Sequence, residues 1–404
     1  MLEFDYTAKD QKSGKQIHSV VKAESEKSAA RLLMEQGYTP IKITAQSESK
    51  NIFAFLQNRV STKDRVVFSR QLATLINAGL PLAQSLHTVR DQTTNKKLQS
   101  IAQDVLTSIE GGSTLSSAFG KHPGVFNDVF IALVSAGEAS GTLDQALERI
   151  ADQQEKDAEI MSKVKGAMVY PLIVSFVMVA VIIFMLVTVV PQIGKLYKDL
   201  KQDLPLLTQI MVTTANFIQK FWYIVVIACG IGIYLLYQWS RTPEGRRLLD
   251  SIKLNAPMFG QLFRKLYMAR FARTSETLMS TGVPMLETLA IAERAVNNVH
   301  VADAIKRAAE KVKGGKALSE ALKGEDYILS LVPQMINIGE QSGGIDKMLA
   351  KAATFYENEL DQTIKAISTM IEPVLMVMLA GVAGVMIGAV LFPIYNLVGS
   401  GAVR

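Results

Sequence analysis

Pro171-LIVSFVMVAVIIFMLVTVV-Pro191 sets nineteen residues between two prolines, without a charge and with only Ser175 and Thr188 polar. As an α-helix the run reaches about 28 Å, enough to cross the hydrocarbon core of a bilayer. The same device returns near the end of the chain, where Pro373 and Pro393 bracket Val374 to Phe392, again nineteen residues and again uncharged. A third apolar stretch, Phe221 to Trp239, carries Trp222, Tyr223, Tyr237 and Trp239 at its ends, as the two headgroup belts of one crossing favour. Three membrane spans are expected.

Outside these spans the chain is charged and helix-patterned. With 404 residues, 49% hydrophobic and 20% charged, its apolar excess is local. The remainder suffices for two helical domains of ordinary size. The formal charge is +6, but acidic and basic residues alternate along the predicted helices and no basic run exceeds two residues. That pattern suits a solvated surface near anionic lipid and argues against nucleic acid as a partner. The single cysteine, Cys229, lies inside the second span, so neither a disulfide framework nor a thiolate metal cluster is expected. The opening MLEFDYTAKDQ lacks a basic segment followed by an apolar one, so no cleaved signal is expected, and the N-terminus is placed in the cytoplasm.

Residues 3–45 read as a small α/β unit: strands at Phe4–Ala8, Ile17–Ala23 and Thr39–Thr44, with a helix at about Glu26–Gln36. A linker with Ile52, Phe53, Phe55 and Leu56 follows. Ser61 and Asp64 open the first helix of a helical domain, which Gly79 stops before Pro81 starts the next. At Gly137–Gly141 the segment GEASG reads as a turn, after which Thr142 caps a long helix running straight into the first span.

The second half repeats the first. FSRQLATLINAGLPLAQSL at Phe68 matches FARTSETLMSTGVPMLETL at Phe271, an offset of 203; GEASGTLD at Gly137 matches GEQSGGID at Gly339, an offset of 202; Pro171 and Pro191 match Pro373 and Pro393 at 202. Order and spacing hold within one residue over more than 120 positions, which signals an internal duplication of helical domain, GExSG segment, long helix and span. The second span has no counterpart. For both domains to lie on one side, it must be the return crossing. Basic residues flanking the domains (Arg149, Lys156, Lys163 and Lys165; Arg241, Arg246, Arg247 and Lys253), set against four lysines in Gln192–Lys220, favour the cytoplasmic side.

The chemistry of catalysis is not legible. Gly14-Lys15 precedes Gln16 and Gly315-Lys316 precedes Ala317, so no P-loop is present. The four histidines are scattered without metal-ligand spacing, and no span carries an ionisable residue to ferry a proton or ion. No catalytic residue, metal site or cofactor is expected. Three features are candidates for contact or hinge roles. The GExSG segments hold Gly137, Glu138 and Gly141 and, in the second copy, Gly339, Glu340 and Gly343; a purely structural hinge, with glycine where a helix ends and Ser or Thr where the next begins, suffices to explain them. Glu372 precedes Pro373 where the first copy has Tyr170, either as a solvated carboxylate or as a partner contact. Gly381, Gly384 and Gly388 share one helical face, the pattern of close helix packing within or between chains.

With the duplicated halves, the LPLLT of Leu204–Thr208 and Glu372-Pro373 assembled, residues 61–400 resemble the inner-membrane platform family of type IV pilus and type II secretion machines. Residues 1–45 resemble that family's short N-terminal module. The resemblance implies a mainly α polytopic protein with two six-helix cytoplasmic domains and three spans, forming a homo-oligomeric platform in the inner membrane. It implies as partners a cytoplasmic assembly ATPase (a retraction ATPase for a retractile fibre), pilin or pseudopilin subunits and other inner-membrane assembly proteins. The organisation expected is an N-terminal module (1–45), linker (46–60), helical domain (61–167), first span (168–191), external connection (192–220), second span (221–239), second helical domain (240–370), third span (371–393) and external tail (394–404). The competing class is a transporter or membrane enzyme with an unrecognised site.

Overall fold

The computed structural model describes residues 2–10, 16–23, 28, 30, 34, 38–45, 59–199 and 206–399, and divides into two compact units, a small N-terminal one and a large helical one. In the small unit, strands β1 (Leu2–Asp10), β2 (Gln16–Ala23) and β3 (Tyr38–Ala45) form an antiparallel sheet of order β2-β1-β3. Phe4 faces Val21 on one side and Ala45 on the other, and Tyr6 faces Ser19 and Ile43. Pro40 lies on the edge strand next to a register shift at Thr7/Ala8, where its missing N–H breaks no regular ladder. Most of the expected helix Glu26–Gln36 and all four apolar linker residues lie outside the described residues.

The helical unit opens with α1 (Thr62–Asn77), α2 (Leu82–Gln92), α3 (Lys96–Glu110), α4 (Leu115–Gly120), α5 (Asp128–Ser140) and the 42-residue α6 (Leu143–Phe184). A π-helical turn, Met185–Val189, joins α6 to α7 (Val190–Asp199). After α8 (Leu206–Trp239) and α9 (Pro243–Asn255), the first series recurs as α10 (Phe259–Ser280), α11 (Met285–Ala295), α12 (Val299–Lys313), α13 (Leu318–Leu322), α14 (Leu331–Ser342) and α15 (Ile345–Gly399). Each copy thus has six helices in the same order. Boundaries are held by local chemistry: α1 and α10 end at Gly79 and Gly282, whose φ of 82° and 85° suits a residue without a Cβ.

The cores differ in composition. In the first copy Phe68, Phe119, Phe126 and Phe130 form an aromatic cluster with centroids as close as 4.4 Å, and Leu72, Leu86, Leu115, Leu133 and Leu147 surround it. Only Phe68 keeps its aromatic ring in the second copy, as Phe271; Leu322 stands at the position of Phe119, Val332 at that of Phe130, and no aromatic residue at that of Phe126. There Leu278, Leu289, Ile305, Ile336 and Leu360 fill the space. Packing survives because apolar volume and helical spacing survive.

Two helices, extending over Leu143–Asp199 and Ile345–Gly388, are long and apolar enough to cross a membrane. Neither stops at its prolines. α6 passes through Pro171 and α15 through Pro373 and Pro393, as spans tolerate because neighbouring groups meet the freed carbonyls. α8 is broken: its backbone leaves helical geometry at Phe221, and the segments Thr208–Ile224 and Val226–Trp239 are bent by 62° to each other. The expected second span starts at that break. In the described part of the connection before it, α7 and the first part of α8 pack on each other, with Gly194 close against Val212.

Candidate functional site

The GExSG segments are not turns. Gly137–Ser140 complete α5 and Gly339–Ser342 complete α14; only Gly141 and Gly343, at φ 73° and 71°, reverse the chain. In both copies the glycine's N–H and that of the following residue return to one carbonyl, that of Gly137 or Gly339. The long helix then starts at once. The first glycine of each segment is there for space: a Cβ on Gly137 would lie 2.6 Å from the Cβ of Ala146, and one on Gly339 would lie 2.6 Å from the Cα of Ile345. Each is thus the point where the fifth helix of a domain crosses the root of its long helix.

The glutamates turn away from that crossing. Glu138 accepts hydrogen bonds from the N–H of Leu115, the N–H of Ser116 at 3.0 Å and the Ser116 hydroxyl at 2.6 Å. Glu340 accepts from the N–H of Ser319 at 3.2 Å and from its hydroxyl. Each carboxylate satisfies donors at the start of a short helix, α4 or α13, where negative charge is favoured. The first copy adds a capping Thr114, bonded to the N–H of Ser117 at 3.2 Å; Ala317 replaces it in the second.

A second duplicated pair escaped the sequence reading. Arg70 of α1 donates from Nε and Nη2 to the two oxygens of Glu155 on α6, at 2.6 and 2.7 Å, and also reaches Glu148 and Asp152. Arg273 of α10 grips Glu357 of α15 in the same fork, both distances 3.0 Å. The signal was available, since Arg70 and Arg273 are 203 apart and Glu155 and Glu357 are 202 apart. These bidentate bonds fasten the first helix of each domain to its long helix. The carboxyl of Glu155 is held below its usual range by the Arg70 bonds, against a smaller opposing effect of burial.

The two copies also bind each other. Lys163 on α6 pairs with Asp361 on α15 at 2.6 Å, Arg294 on α11 with Asp128 on α5, and Arg149 on α6 donates to the Ser280 hydroxyl on α10. Ile160 of α6 belongs to the core of the second copy.

Within the spans, Glu372 and Pro373 are exposed on α15, and Glu372 makes no ion pair among the described residues. Gly381, Gly384 and Gly388 have nothing within 4 Å of an added Cβ, so within one chain no helix approaches them closely. Gly381 lines an apolar cavity of about 450 Å³ between α6 and α15, shared with Ile182, Met185, Val385 and Met386. The π-helical turn beside it offers the Val187 carbonyl, which accepts from Gln219 Nε2 at 2.6 Å. Among the described residues no group of three or more His, Cys, Asp or Glu is placed to hold a metal ion.

Residues 68–191 and 271–393 each match the family described as type II secretion system protein F, and residues 1–44 match its N-terminal domain. The chain is 34% identical over 409 residues to the type IV pilus assembly protein PilC of Thermus thermophilus, covering 100% of both. Against PilC of Myxococcus xanthus it is 36% identical, covering 96% of this chain and 94% of the relative. Against the type II secretion system protein F of Vibrio cholerae it is 32% identical, covering 98% of each. Both family-model matches end at the prolines that close the apolar stretches, and each takes in one helical domain with its span. The chain is therefore a membrane protein that belongs to the type II secretion system protein F family.

Proposed function

We propose that this protein is the inner-membrane platform of a fibre-building machine of the type IV pilus or type II secretion kind, coupling a cytoplasmic assembly ATPase to the insertion of pilin subunits. It carries out no catalysis of its own and works as a homo-oligomer, with its N-terminus and both helical domains in the cytoplasm. The observation that carries this reading is continuity. α6 and α15 run unbroken from a helical domain into an apolar span, and the Arg70–Glu155 and Arg273–Glu357 forks lock each domain to its long helix. A rotation imposed on a domain therefore reaches the membrane through a rigid rod.

The placement of both domains on one face draws support from their mutual contacts. Lys163–Asp361 and Arg294–Asp128 join the copies outside the apolar stretches, which two domains on opposite faces could not do. An even return then requires the bent α8 to cross. In this reading Glu372 marks where α15 meets the bilayer, within reach of an amino group on a pilin subunit.

The test is genetic and biochemical together. Deleting the chain is expected to abolish surface fibres or secreted substrate while pilin still accumulates in the membrane, and the full chain supplied in trans restores them. Reporter fusions at 120 and 320 report one side and a fusion at 200 the other. Normal fibres and secretion in the deletion strain, or solute flux by the purified chain alone in liposomes, would overturn the proposal.

A further inference from the structure

A cavity of about 390 Å³ opens where the two helical domains meet, and three guanidinium groups from separate parts of the chain line it: Arg65 on α1, Arg270 on α10 and Arg294 on α11. None belongs to the duplicated architecture. At the matching positions stand Met268, Val67 and Asp91, so the convergence of positive charge arises only at the junction. Arg65 and Arg270 are partly buried and Arg294 is exposed at the rim, so the like charges are screened only in part and an anion would relieve them.

The counter-charges present are few. Asp128 is engaged by Arg294. Asp157 also lines the cavity; burial pushes its carboxyl up, the Arg270 charge opposes that rise, Glu357 adds to it and a Gln153 hydrogen bond works against it. Arg270 makes no hydrogen bond or ion pair among the described residues, and its Nε is buried without an acceptor. The Arg65 fork is held from outside, Nη1 donating to the Val125 carbonyl at 3.2 Å and Nη2 to the Thr62 hydroxyl at 3.3 Å, while its Nε also lacks an acceptor. Thr274, buried beside Arg270, adds a hydroxyl.

We propose that this junction cavity binds a soluble phosphorylated small molecule, whose phosphate oxygens are gripped by Arg65, Arg270 and Arg294. Planar guanidinium groups match phosphate by paired N–H···O bonds, and the volume lies in the range of small-ligand sites. Since the cavity is walled by both copies, occupancy clamps them together and stiffens the platform. The proposal stands apart from the platform reading, because it concerns binding and not fibre assembly.

The probes are inorganic phosphate and pyrophosphate, titrated calorimetrically into the full chain in detergent, with thermal unfolding followed in parallel. Saturable pyrophosphate binding and a raised unfolding temperature are expected. Arg270→Gln should weaken binding about tenfold to a hundredfold, the worth of one charge-assisted hydrogen-bonded pair, while changing the stability of the unliganded protein far less than the binding, since the side chain it replaces makes no hydrogen bond or ion pair among the described residues and interacts with Asp157 only through its charge. Asp157→Asn should strengthen binding by removing the residual negative charge. No binding of either probe by the folded protein would overturn the proposal. So would equal binding by wild type and Arg270→Gln, or destabilisation by both Arg270→Gln and Asp157→Asn, which would mark those two side chains as a structural pair.

Discussion

Replacing Gly339 by alanine puts one methyl group where α14 crosses the root of α15. The new Cβ would lie 2.6 Å from the Cα of Ile345, 3.1 Å from its N and 3.2 Å from the carbonyl oxygen of Gly344. Carbon atoms pack best at about 3.5–4.0 Å, so the helices must part by about 1 Å. Every neighbour is backbone, and no side chain can swing aside. Overpacking of this kind costs about 1–3 kcal/mol, which in a domain of this size lowers the unfolding temperature by about 2–12 °C. Gly137→Ala meets a different obstacle, the Cβ of Ala146, with the backbone of Leu143 and Thr142 farther off at 3.2 and 3.3 Å. Adding Ala146→Gly should therefore recover part of that loss, offset by the ~1 kcal/mol penalty of glycine inside a helix. The assay is thermal unfolding of the full chain in detergent, with Gly166→Ala as a control, because a Cβ there meets nothing. The control should be neutral or slightly stabilising. If Gly339→Ala unfolds with the control, or Ala146→Gly fails to relieve Gly137→Ala, the crossing is looser than these distances require and the reasoning fails.

Removing the capping carboxylates should discriminate between the copies. Glu340→Ala is expected to cost about 1–2 kcal/mol and Glu138→Ala less, since Thr114 remains as a cap only in the first copy; equal losses in denaturant titration would count against the capping role. The depressed carboxyl of Glu155 contributes stability that is complete above its unfolded value of 4.5 and is lost as pH falls through the lower folded value. Acid titration of Arg70→Gln should show a shallower loss in that window, and an unchanged profile would refute the fork's contribution. Alanine at Gly381, Gly384 and Gly388 together should leave the monomer folded, because each Cβ points into open space. If the face packs against a second chain, the triple variant loses oligomer in native mass measurement, and an unchanged oligomer would show that face to be lipid-exposed.

Much of this architecture was written along the chain. Apolar length alone specifies the spans at Pro171–Pro191 and Pro373–Pro393, because a bilayer demands some nineteen uncharged residues in a helix whatever surrounds them. The repeat of Phe68 at Phe271 and of Gly137 at Gly339 specifies two like domains, since helices of one length, stopped at the same glycines, find the same packing. What sequence patterns could not decide is where separate segments meet. A GExSG string looks like a turn because glycine and serine favour turns locally; contacts with Ala146 and Ile345 keep all but its last glycine helical. A proline in water ends a helix, yet α15 runs through Pro373 and Pro393, where no solvent competes for the backbone. The forks of Arg70 and Arg273 join residues some eighty-five positions apart. The convergence of Arg65, Arg270 and Arg294 spans more than two hundred. The forks form inside each domain, where its first helix packs on its long helix; the three arginines are adjacent only because two domains, each legible by itself, dock face to face, and that docking rests on surface complementarity, which has no period and leaves no motif.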